Sequence, residues 1–288
     1  MSEAAIHADN SAQADYWNGL AGQRWRDLQD HQDEVLRPVS ERLIAAANAK
    51  PGERVIDVGC GCGATTIDFA ERVAPGGEVL GLDISEPLLA RARERVPPGL
   101  PARFVLADAT VHQMPPASAD LVVSRFGVMF FADPALSFAN LRRALRQGGR
   151  LAFACWREAK QNPFFVVPLR EARKHTPPLP ELGPEEPGPF AFADEARVRR
   201  VLREAGFADI ALTPHDFDLD IATGRGVDTA LAAALAIGPT SRALDDQSEE
   251  VRAAAAADIR AALAARAVGD SVPLGAAIWI VTATNPGA

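Results

Sequence analysis

Cysteine is scarce in this chain, and its distribution excludes a disulfide framework. Only 3 of the 288 residues are cysteines, an odd number, and Cys60 and Cys62 fall within one glycine-rich segment. A structural metal site needs about four ligands in a defined geometry, which two thiols do not supply. We therefore expect neither a disulfide framework nor a bound metal, and we interpret both cysteines as small residues that suit a tight loop.

Long apolar runs and surplus positive charge are missing as well. No apolar stretch reaches the roughly 20 residues that a membrane-spanning helix requires, and residues 1–15 lack the basic and then apolar pattern of a secretion signal. The formal net charge is -8 at pH 7, whereas nucleic-acid binding depends on a basic surface. We expect a cytoplasmic protein with no nucleic-acid partner and no membrane span.

What the chain does have is a glycine-rich segment that follows a predicted buried strand. The strand covers residues 55–58 and carries an acidic residue, Asp57. Three glycines follow it at alternate positions, Gly59, Gly61 and Gly63. Glycines have no Cβ, so the backbone can turn sharply and approach a ligand, and the helix that follows offers free amide N–H groups. In doubly wound α/β proteins such a loop binds a nucleotide.

The loop alone is compatible with two cofactors. Its Gly-x-Gly-x-x-Ala spacing from Gly59 to Ala64 formally satisfies the dinucleotide fingerprint, which is a weak signal when it stands alone. Asp83 closes a second predicted strand, residues 78–83, and a carboxylate there can accept both ribose hydroxyls of an adenosine. A dehydrogenase and a methyltransferase are equally compatible with these two features.

Segments further along the chain separate the two classes. The predicted elements are, in order, a strand at 103–107, a strand at 119–124, a helix at 134–146 and a strand at 150–156. Asp108 and Ala109 follow the first of these strands, at the same edge of the sheet as Asp83. A glycine turn, 147–149, ends the helix before the last strand.

In this order the elements resemble a class I S-adenosylmethionine-dependent methyltransferase, and within that family the ubiquinone/menaquinone C-methyltransferase type. The resemblance covers residues 35–156 and rests on the acidic and glycine positions given above. It implies an α/β fold with a doubly wound, Rossmann-like sheet of seven strands. The last two strands, predicted at 207–221 and 276–283, would form its antiparallel edge hairpin.

The resemblance also implies S-adenosylmethionine as the cofactor. Asp57 would order the loop and receive the methionine amino group, Asp83 would accept the ribose hydroxyls, and Asp108 would read the adenine amine. The backbone beyond the fourth strand would line the methionine side. The predicted cofactor-binding residues are Asp57, Gly59, Cys60, Gly61, Gly63, Asp83, Ile84, Asp108, Ala109, Ser124, Arg125 and Phe126.

We expect one methyltransferase domain over residues 1–288. Its predicted parts are N-terminal lid helices at 1–50, a cofactor-binding core at 51–156, a proline-rich substrate loop at 157–190 and the rest of the sheet at 191–288. A helical insertion at 227–268 could cover the substrate pocket or form a homodimer contact. The sequence does not choose between these two roles.

Aromatic residues are concentrated in the predicted lid. Tyr16, Trp17 and Trp25 lie close together before the first strand. A sulfonium cation is attracted to an aromatic face by about 0.5–2 kcal/mol, so these rings suit a lid over the cofactor. Together with Met129 they are the predicted substrate and lid contacts.

The predicted reaction is in-line transfer of a methyl group to a small, moderately apolar molecule through carbon, oxygen or nitrogen. A general base is needed where the acceptor must lose a proton. His31, His175 and His215 are available, and the sequence shows no partner for any of them. His31, near the lid, is the candidate we retain.

Two other functional classes stay open. An NAD(P)-dependent oxidoreductase would need a pattern such as Tyr-x-x-x-Lys, but the single tyrosine, Tyr16, precedes the fold. A catalytically silent, methyltransferase-like partner protein would keep the cofactor site without turnover. The intact glycine and acidic positions argue against loss of binding, but they do not establish catalysis.

Overall fold

The computed structural model describes residues 6–180, 183 and 185–287. Residues 1–5 of the predicted lid and residues 181, 182 and 184 of the predicted proline-rich loop lie outside this description.

Seven strands form one mixed sheet, as the resemblance predicts. Their order in the sheet is β3-β2-β1-β4-β5-β7-β6. Strands β1 to β5 pair in parallel, and β7 pairs antiparallel with both β5 and β6. The strands are β1 (Arg54–Val58), β2 (Glu78–Asp83), β3 (Ala102–Leu106), β4 (Ala119–Arg125), β5 (Leu145–Trp156), β6 (Ala208–Asp220) and β7 (Pro273–Thr284).

Helices precede the sheet, flank it and cover its carboxyl edge. Four lie before β1: α1 (Ser11–Asn18), α2 (Leu20–Asp27), α3 (Gln29–Val35) and α4 (Arg37–Ala47). The flanking helices are α5 (Ala64–Val73), α6 (Glu86–Arg95), α7 (Pro134–Ala144) and α9 (Glu195–Glu204). The remaining four, which we call the helical cap, are α8 (Pro163–Ala172), α10 (Gly226–Ala236), α11 (Pro239–Leu244) and α12 (Glu249–Ala264).

Two apolar cores correspond to the sheet and to the cap. The central strand β4 is apolar along most of its length, as expected for a parallel strand covered on both faces. Large side chains such as Phe69, Phe138 and Phe153 are fully buried against the sheet. A separate cluster that includes Val167, Ala230 and Ile259 fills the cap. The cap therefore packs around its own core while it rests on the sheet.

The glycine turn predicted at 147–149 is part of a strand. Helix α7 ends at Ala144 rather than at residue 146, because Leu145 already pairs with Ala119 of β4. The register between β4 and β5 then shifts, and Gly148 adopts a positive φ of 72°. The glycines thus allow a bulge within β5. The prediction of a helix-ending turn at 147–149 is therefore wrong.

Prolines account for one further correction and for a break between two lid helices. The predicted proline-rich loop at 157–190 contains α8, which begins at Pro163, where a missing backbone N–H has no cost. Among the predicted lid helices at 1–50, α3 and α4 meet at Leu36. Pro38 has no N–H to continue the hydrogen-bond ladder of α3, so the chain starts a new helix.

Candidate active site

The carboxyl ends of the parallel strands open into a cavity of about 1100 Å³. Helices α1 to α3 cover one side of this cavity, and the helical cap covers another. Most of the predicted site residues line it: Tyr16, Trp17, Trp25, Gly59, Cys60, Gly61, Asp83, Ile84, Asp108, Ala109, Arg125, Phe126 and Met129. Asp57, Gly63 and Ser124 lie behind its surface.

The glycine loop fits closely against the loop after β4. A Cβ on Gly59 would lie 2.6 Å from the Cα of Gly127, too close for any side chain. A Cβ on Gly61 would point into open space, with Trp25 Nε1 as its nearest neighbour at 4.0 Å. Gly59 is therefore required by packing, whereas Gly61 keeps the cavity floor clear.

Asp57 supports the loop from beneath. Its side chain is fully buried, and its Oδ2 accepts hydrogen bonds from Thr65 Oγ1 and Thr66 Oγ1, both at 2.7 Å. Burial raises the pKa of Asp57, and the two threonine hydroxyls partly offset this effect. Its Oδ1 is buried and has no hydrogen-bond partner among the described residues. This oxygen is an acceptor that a ligand amine or a water could satisfy.

Asp83 is held by backbone amides at the end of β2. Its Oδ2 accepts from the Gly61 N–H at 2.7 Å, and its Oδ1 accepts from the Ser85 N–H at 2.9 Å. Burial raises the pKa of Asp83 to about 6, against the lowering effect of these two bonds. The carboxylate therefore ionises near neutral pH, with its orientation fixed by the backbone.

Asp108 is engaged by the N-terminal segment, a contact that the sequence did not predict. Asn10 Nδ2 donates to Asp108 Oδ2 at 2.8 Å, and the His7 N–H donates to the same oxygen at 2.9 Å. Asn10 Oδ1 in turn accepts from the Ala132 N–H at 3.0 Å. The segment before α1 thus closes the adenine end of the predicted cofactor site.

The residues at the end of β4 hold neighbouring elements in place. Ser124 Oγ donates to the Val58 carbonyl at 2.7 Å and so joins β4 to β1. Arg125 pairs with Asp33 of α3 at 3.4 Å. The Phe126 ring stacks on Trp156, with 4.3 Å between ring centroids. Only Arg125 and Phe126 of the predicted trio reach the cavity surface.

Helices α1 and α2 bridge the sheet edge and the cap. Ser85 Oγ donates to the Trp17 carbonyl at 2.7 Å, and the Trp17 ring meets Trp25 and Phe130 edge to face. On the other side, Arg24 Nη1 donates to Asp245 Oδ1 at 2.5 Å and to Ser241 Oγ at 3.0 Å. The predicted lid is therefore joined to both halves of the cavity wall.

The cap end of the cavity combines phenylalanines with arginines. The Phe164 and Trp156 rings are stacked, with centroids 5.9 Å apart, and Phe165 packs edge-on against both. Arg170 and Arg173 from the α8 region and Arg242 from α11 also line the cavity. This end offers apolar rings and positive charge.

The structure does not bring the predicted bases to the cavity. His31 lies outside the cavity lining, with its Nδ1 3.4 Å from Thr223 Oγ1. Burial, and then the nearby Arg225, lower its pKa. His175 pairs with Asp258 at 2.9 Å, and His215 lies on the edge strand β6.

The cysteines and acids of the described residues provide neither a nucleophile nor a metal site. Burial raises the pKa of Cys62 to about 12 and that of Cys60 well above its ordinary value, so both stay as thiols. Within residues 6–180, 183 and 185–287, no three His, Cys, Asp or Glu side chains come together as metal ligands. Across the same residues, no helix has the length and apolar character to cross a membrane.

Comparisons with known proteins point to one family. A family described as a methyltransferase domain matches residues 55–149. Nocamycin O-methyltransferase from Saccharothrix syringae is 34% identical over 202 residues, which cover 65% of this chain and 70% of that protein. A ubiquinone/menaquinone biosynthesis C-methyltransferase from Burkholderia multivorans is 35% identical over 109 residues, which cover 38% of this chain and 45% of that protein.

A solved structure has the same fold. It is phosphoethanolamine N-methyltransferase 2 from Haemonchus contortus, in complex with phosphomonomethylethanolamine and S-adenosylhomocysteine. The TM-score is 0.54 at 17% identity, and the match covers 97% of this chain and 58% of that one. With the 34% identity to the nocamycin enzyme and the seven-stranded sheet, the chain belongs to the class I S-adenosylmethionine-dependent methyltransferases.

Proposed function

We propose that this enzyme binds S-adenosylmethionine at the carboxyl edge of the sheet and transfers its methyl group to a small, moderately apolar molecule. One observation carries the proposal. A single cavity connects the glycine loop and the two buried carboxylates Asp83 and Asp108 with an apolar compartment beneath the helical cap. A methyl donor and a methyl acceptor can therefore bind next to each other within this cavity.

The residues at the sheet end fit the cofactor. Asp83 presents a carboxylate, oriented by two backbone amides, that would accept the ribose hydroxyls. The unpartnered Oδ1 of Asp57 is an acceptor that the methionine amino group would satisfy, directly or through water. Gly61 leaves open the space that a Cβ would fill.

Bound at this site, S-adenosylmethionine supplies an electrophilic methyl group on a sulfonium. The protein's own contribution is alignment and the exclusion of water. Correct orientation of two reactants can lower a barrier by as much as ~7–11 kcal/mol. Trp17 and Trp25 line the cavity, and aromatic rings attract a cation such as the sulfonium. The cap and the N-terminal helices close the cavity around the acceptor.

The relatives support a small-molecule acceptor. The nocamycin enzyme is named as an O-methyltransferase and the ubiquinone/menaquinone enzyme as a C-methyltransferase. The apolar rings at the cap end suit an acceptor of this kind. The family thus includes more than one acceptor atom, and no histidine of the described residues lines the cavity to favour proton removal from a hydroxyl.

Isothermal titration calorimetry with S-adenosylhomocysteine and with NADH tests the cofactor assignment. We expect the purified protein to bind S-adenosylhomocysteine and to show no heat with NADH. Binding of NADH alone would overturn the proposal in favour of an oxidoreductase. Radiolabel transfer from S-adenosylmethionine to extracted small molecules then tests turnover, and binding without any transfer would indicate a catalytically silent protein.

A further inference from the structure

The two ends of the cavity carry opposite charge. Asp83 and Asp108 lie at the sheet end, where the cofactor is proposed to bind and where the charge of Arg125 is compensated by Asp33. Three arginines, Arg170, Arg173 and Arg242, lie at the cap end, where Glu186 is the carboxylate that the described residues contribute to the lining. An acceptor that enters beneath the cap therefore meets an apolar wall with a positively charged rim.

The three arginines differ in how far their charge is already compensated. Arg170 donates through Nε and Nη2 to Glu171 Oε1, at 2.9 and 2.6 Å. Arg173 and Arg242 form no ion pair or hydrogen bond with any side chain of the described residues, Glu186 included. Both are exposed, so each guanidinium keeps its donors available.

Arg173 and Arg242 reach the cavity from neighbouring helices. Arg173 follows α8 and Arg242 lies in α11, and these two helices pack against each other. The start of α11 meets α8 at Phe165. A Cβ added to Gly238 would lie 3.6 Å from Cε1 of Phe165. Phe165 and the two arginines are therefore carried by one packed pair of helices whose residues line the cavity.

Aromatic rings of Trp156, Phe164 and Phe165 also line the cavity. Trp156 and Phe164 stack with an interplanar angle of 15°, and Phe165 closes the edge of the stack. Aromatic side chains prefer ring partners at stacked or edge-to-face positions. Guanidinium groups bind carboxylates through paired N–H donors.

We propose that the acceptor is a flat, conjugated molecule that carries a carboxylate, and that Arg173 and Arg242 bind this carboxylate as an anchor. The inference deepens the proposed function because it rests on the same cavity. The aromatic wall receives the ring system and the arginines fix its acidic end. The anchor sets which part of the acceptor faces the sheet end of the cavity.

Binding of two matched probes tests the proposal. The probes are 2-naphthoate and 2-naphthamide, which have the same ring and nearly the same shape but differ in charge. Calorimetry is carried out with saturating S-adenosylhomocysteine on the wild type and on three variants. These are the double variant R173A/R242A, the charge-preserving R173K/R242K, and R170A as a control whose arginine already has a partner.

We expect the wild type to bind 2-naphthoate roughly three- to tenfold more tightly than 2-naphthamide, as suits two exposed charges. R173A/R242A should remove this preference, R173K/R242K should keep most of it, and R170A should change it by less than twofold. Equal binding of both probes to the wild type overturns the proposal. So does a preference that survives in R173A/R242A, or no binding of either probe.

Binding of S-adenosylhomocysteine separates this inference from the proposed function. If every variant binds S-adenosylhomocysteine like the wild type, each is folded and only the anchor is tested. If the wild type fails to bind it, the proposed function itself fails. Normal cofactor binding without a naphthoate preference overturns the anchor alone.

Discussion

The sheet end and the cap end of the cavity are built on different principles. At the sheet end, carboxylates are buried and oriented by backbone amides, as with Asp83 between the amides of Gly61 and Ser85. At the cap end, exposed arginines and half-buried rings lie on helices that pack around a separate apolar core. The first end is fixed by main chain and the second by side chains.

Because of this difference, the two ends should tolerate different substitutions. A main-chain site is lost when the backbone shifts, because every donor moves together. A side-chain site changes one contact at a time, since the cap has a core of its own beneath the exposed positions. Substitutions at the sheet end should therefore have large effects on cofactor binding, whereas those at the cap end should change acceptor preference alone.

The largest effect is expected from a substitution in the glycine loop. We expect G59A to lower the free energy of unfolding by about 2–4 kcal/mol, because the new Cβ meets the Gly127 backbone and the residue has a positive φ. Binding of S-adenosylhomocysteine should fall at least tenfold. G52A is the control, with a positive φ and open space around its Cβ, and should cost about 1 kcal/mol. Thermal unfolding and calorimetry measure both, and equal losses in the two variants would contradict the packing argument.

Acidification should weaken cofactor binding through Asp83. In the proposed cofactor site, ribose hydroxyls would donate to the ionised carboxylate, and burial raises the pKa of this carboxyl to about 6. Affinity for S-adenosylhomocysteine should therefore be about tenfold lower at pH 5 than at pH 7, since roughly one protein in ten is then ionised at this position. D83N should bind weakly at both pH values, without this dependence. An unchanged pH dependence in D83N would assign the titration to another group.

The raised pKa of Asp83 should also affect stability. The free energy of unfolding should fall with rising pH, whereas a salt-bridged acid makes it rise. The folded protein holds the Asp83 proton up to about pH 6, whereas the unfolded chain releases it near the ordinary aspartate pKa of 3.8. The contribution of Asp83 to stability is therefore largest below pH 4 and is lost as the pH rises to 6. Urea unfolding should show that the free energy of unfolding of the wild type falls, relative to that of D83N, as the pH rises from 4 to 6.

The bridge between the two ends should have a smaller effect. Arg24 joins α2 to Asp245 and Ser241 through a partly buried ion pair. In R24A we expect S-adenosylhomocysteine to dissociate several-fold faster in stopped-flow measurements, because the covering helices lose their hold on the cap. R26A is the control, since the one ion pair of Arg26 among the described residues is with its exposed neighbour Asp27. Equal rates in R24A and wild type would show that this contact does not hold the lid.

The smallest effect is expected at His31. This side chain lies outside the cavity lining, and burial lowers its pKa. H31Q should retain methyl transfer within about twofold of wild type, far less than the 10²–10⁴-fold loss of a general base. A loss of a hundredfold in kcat, with normal cofactor binding, would restore His31 as the base.

Sequence patterns predicted the sheet end well because its parts are local. The strand, the acidic residue and the glycines of the first loop are neighbours in the chain, and β2 was predicted at its observed bounds. The order of the strands and the antiparallel edge follow from the family pattern. The helix α8 was missed because prolines suggested a loop, although Pro163 suits a helix start.

Contacts between distant segments could not be predicted in this way. Asn10 and Asp108 are 98 residues apart, and Arg24 and Asp245 are 221 apart. No local spacing marks such pairs, since each depends on how α1, α2 and the cap pack over the finished sheet. The same is true of Arg173 and Arg242, which line one cavity only after α8 and α11 have packed together.

The contact of Arg24 with the cap has a consequence for the order of events in turnover. Helices α1 and α2 touch the sheet edge through Trp17 and the cap through Arg24, so we expect one opening to serve both ligands. The demethylated cofactor could then leave only when the contact between α2 and the cap is broken, which also opens the acceptor end. An acceptor present in excess would rebind before the spent cofactor escapes and form a dead-end complex. Turnover should accordingly slow at high acceptor concentration, and R24A should relieve this substrate inhibition.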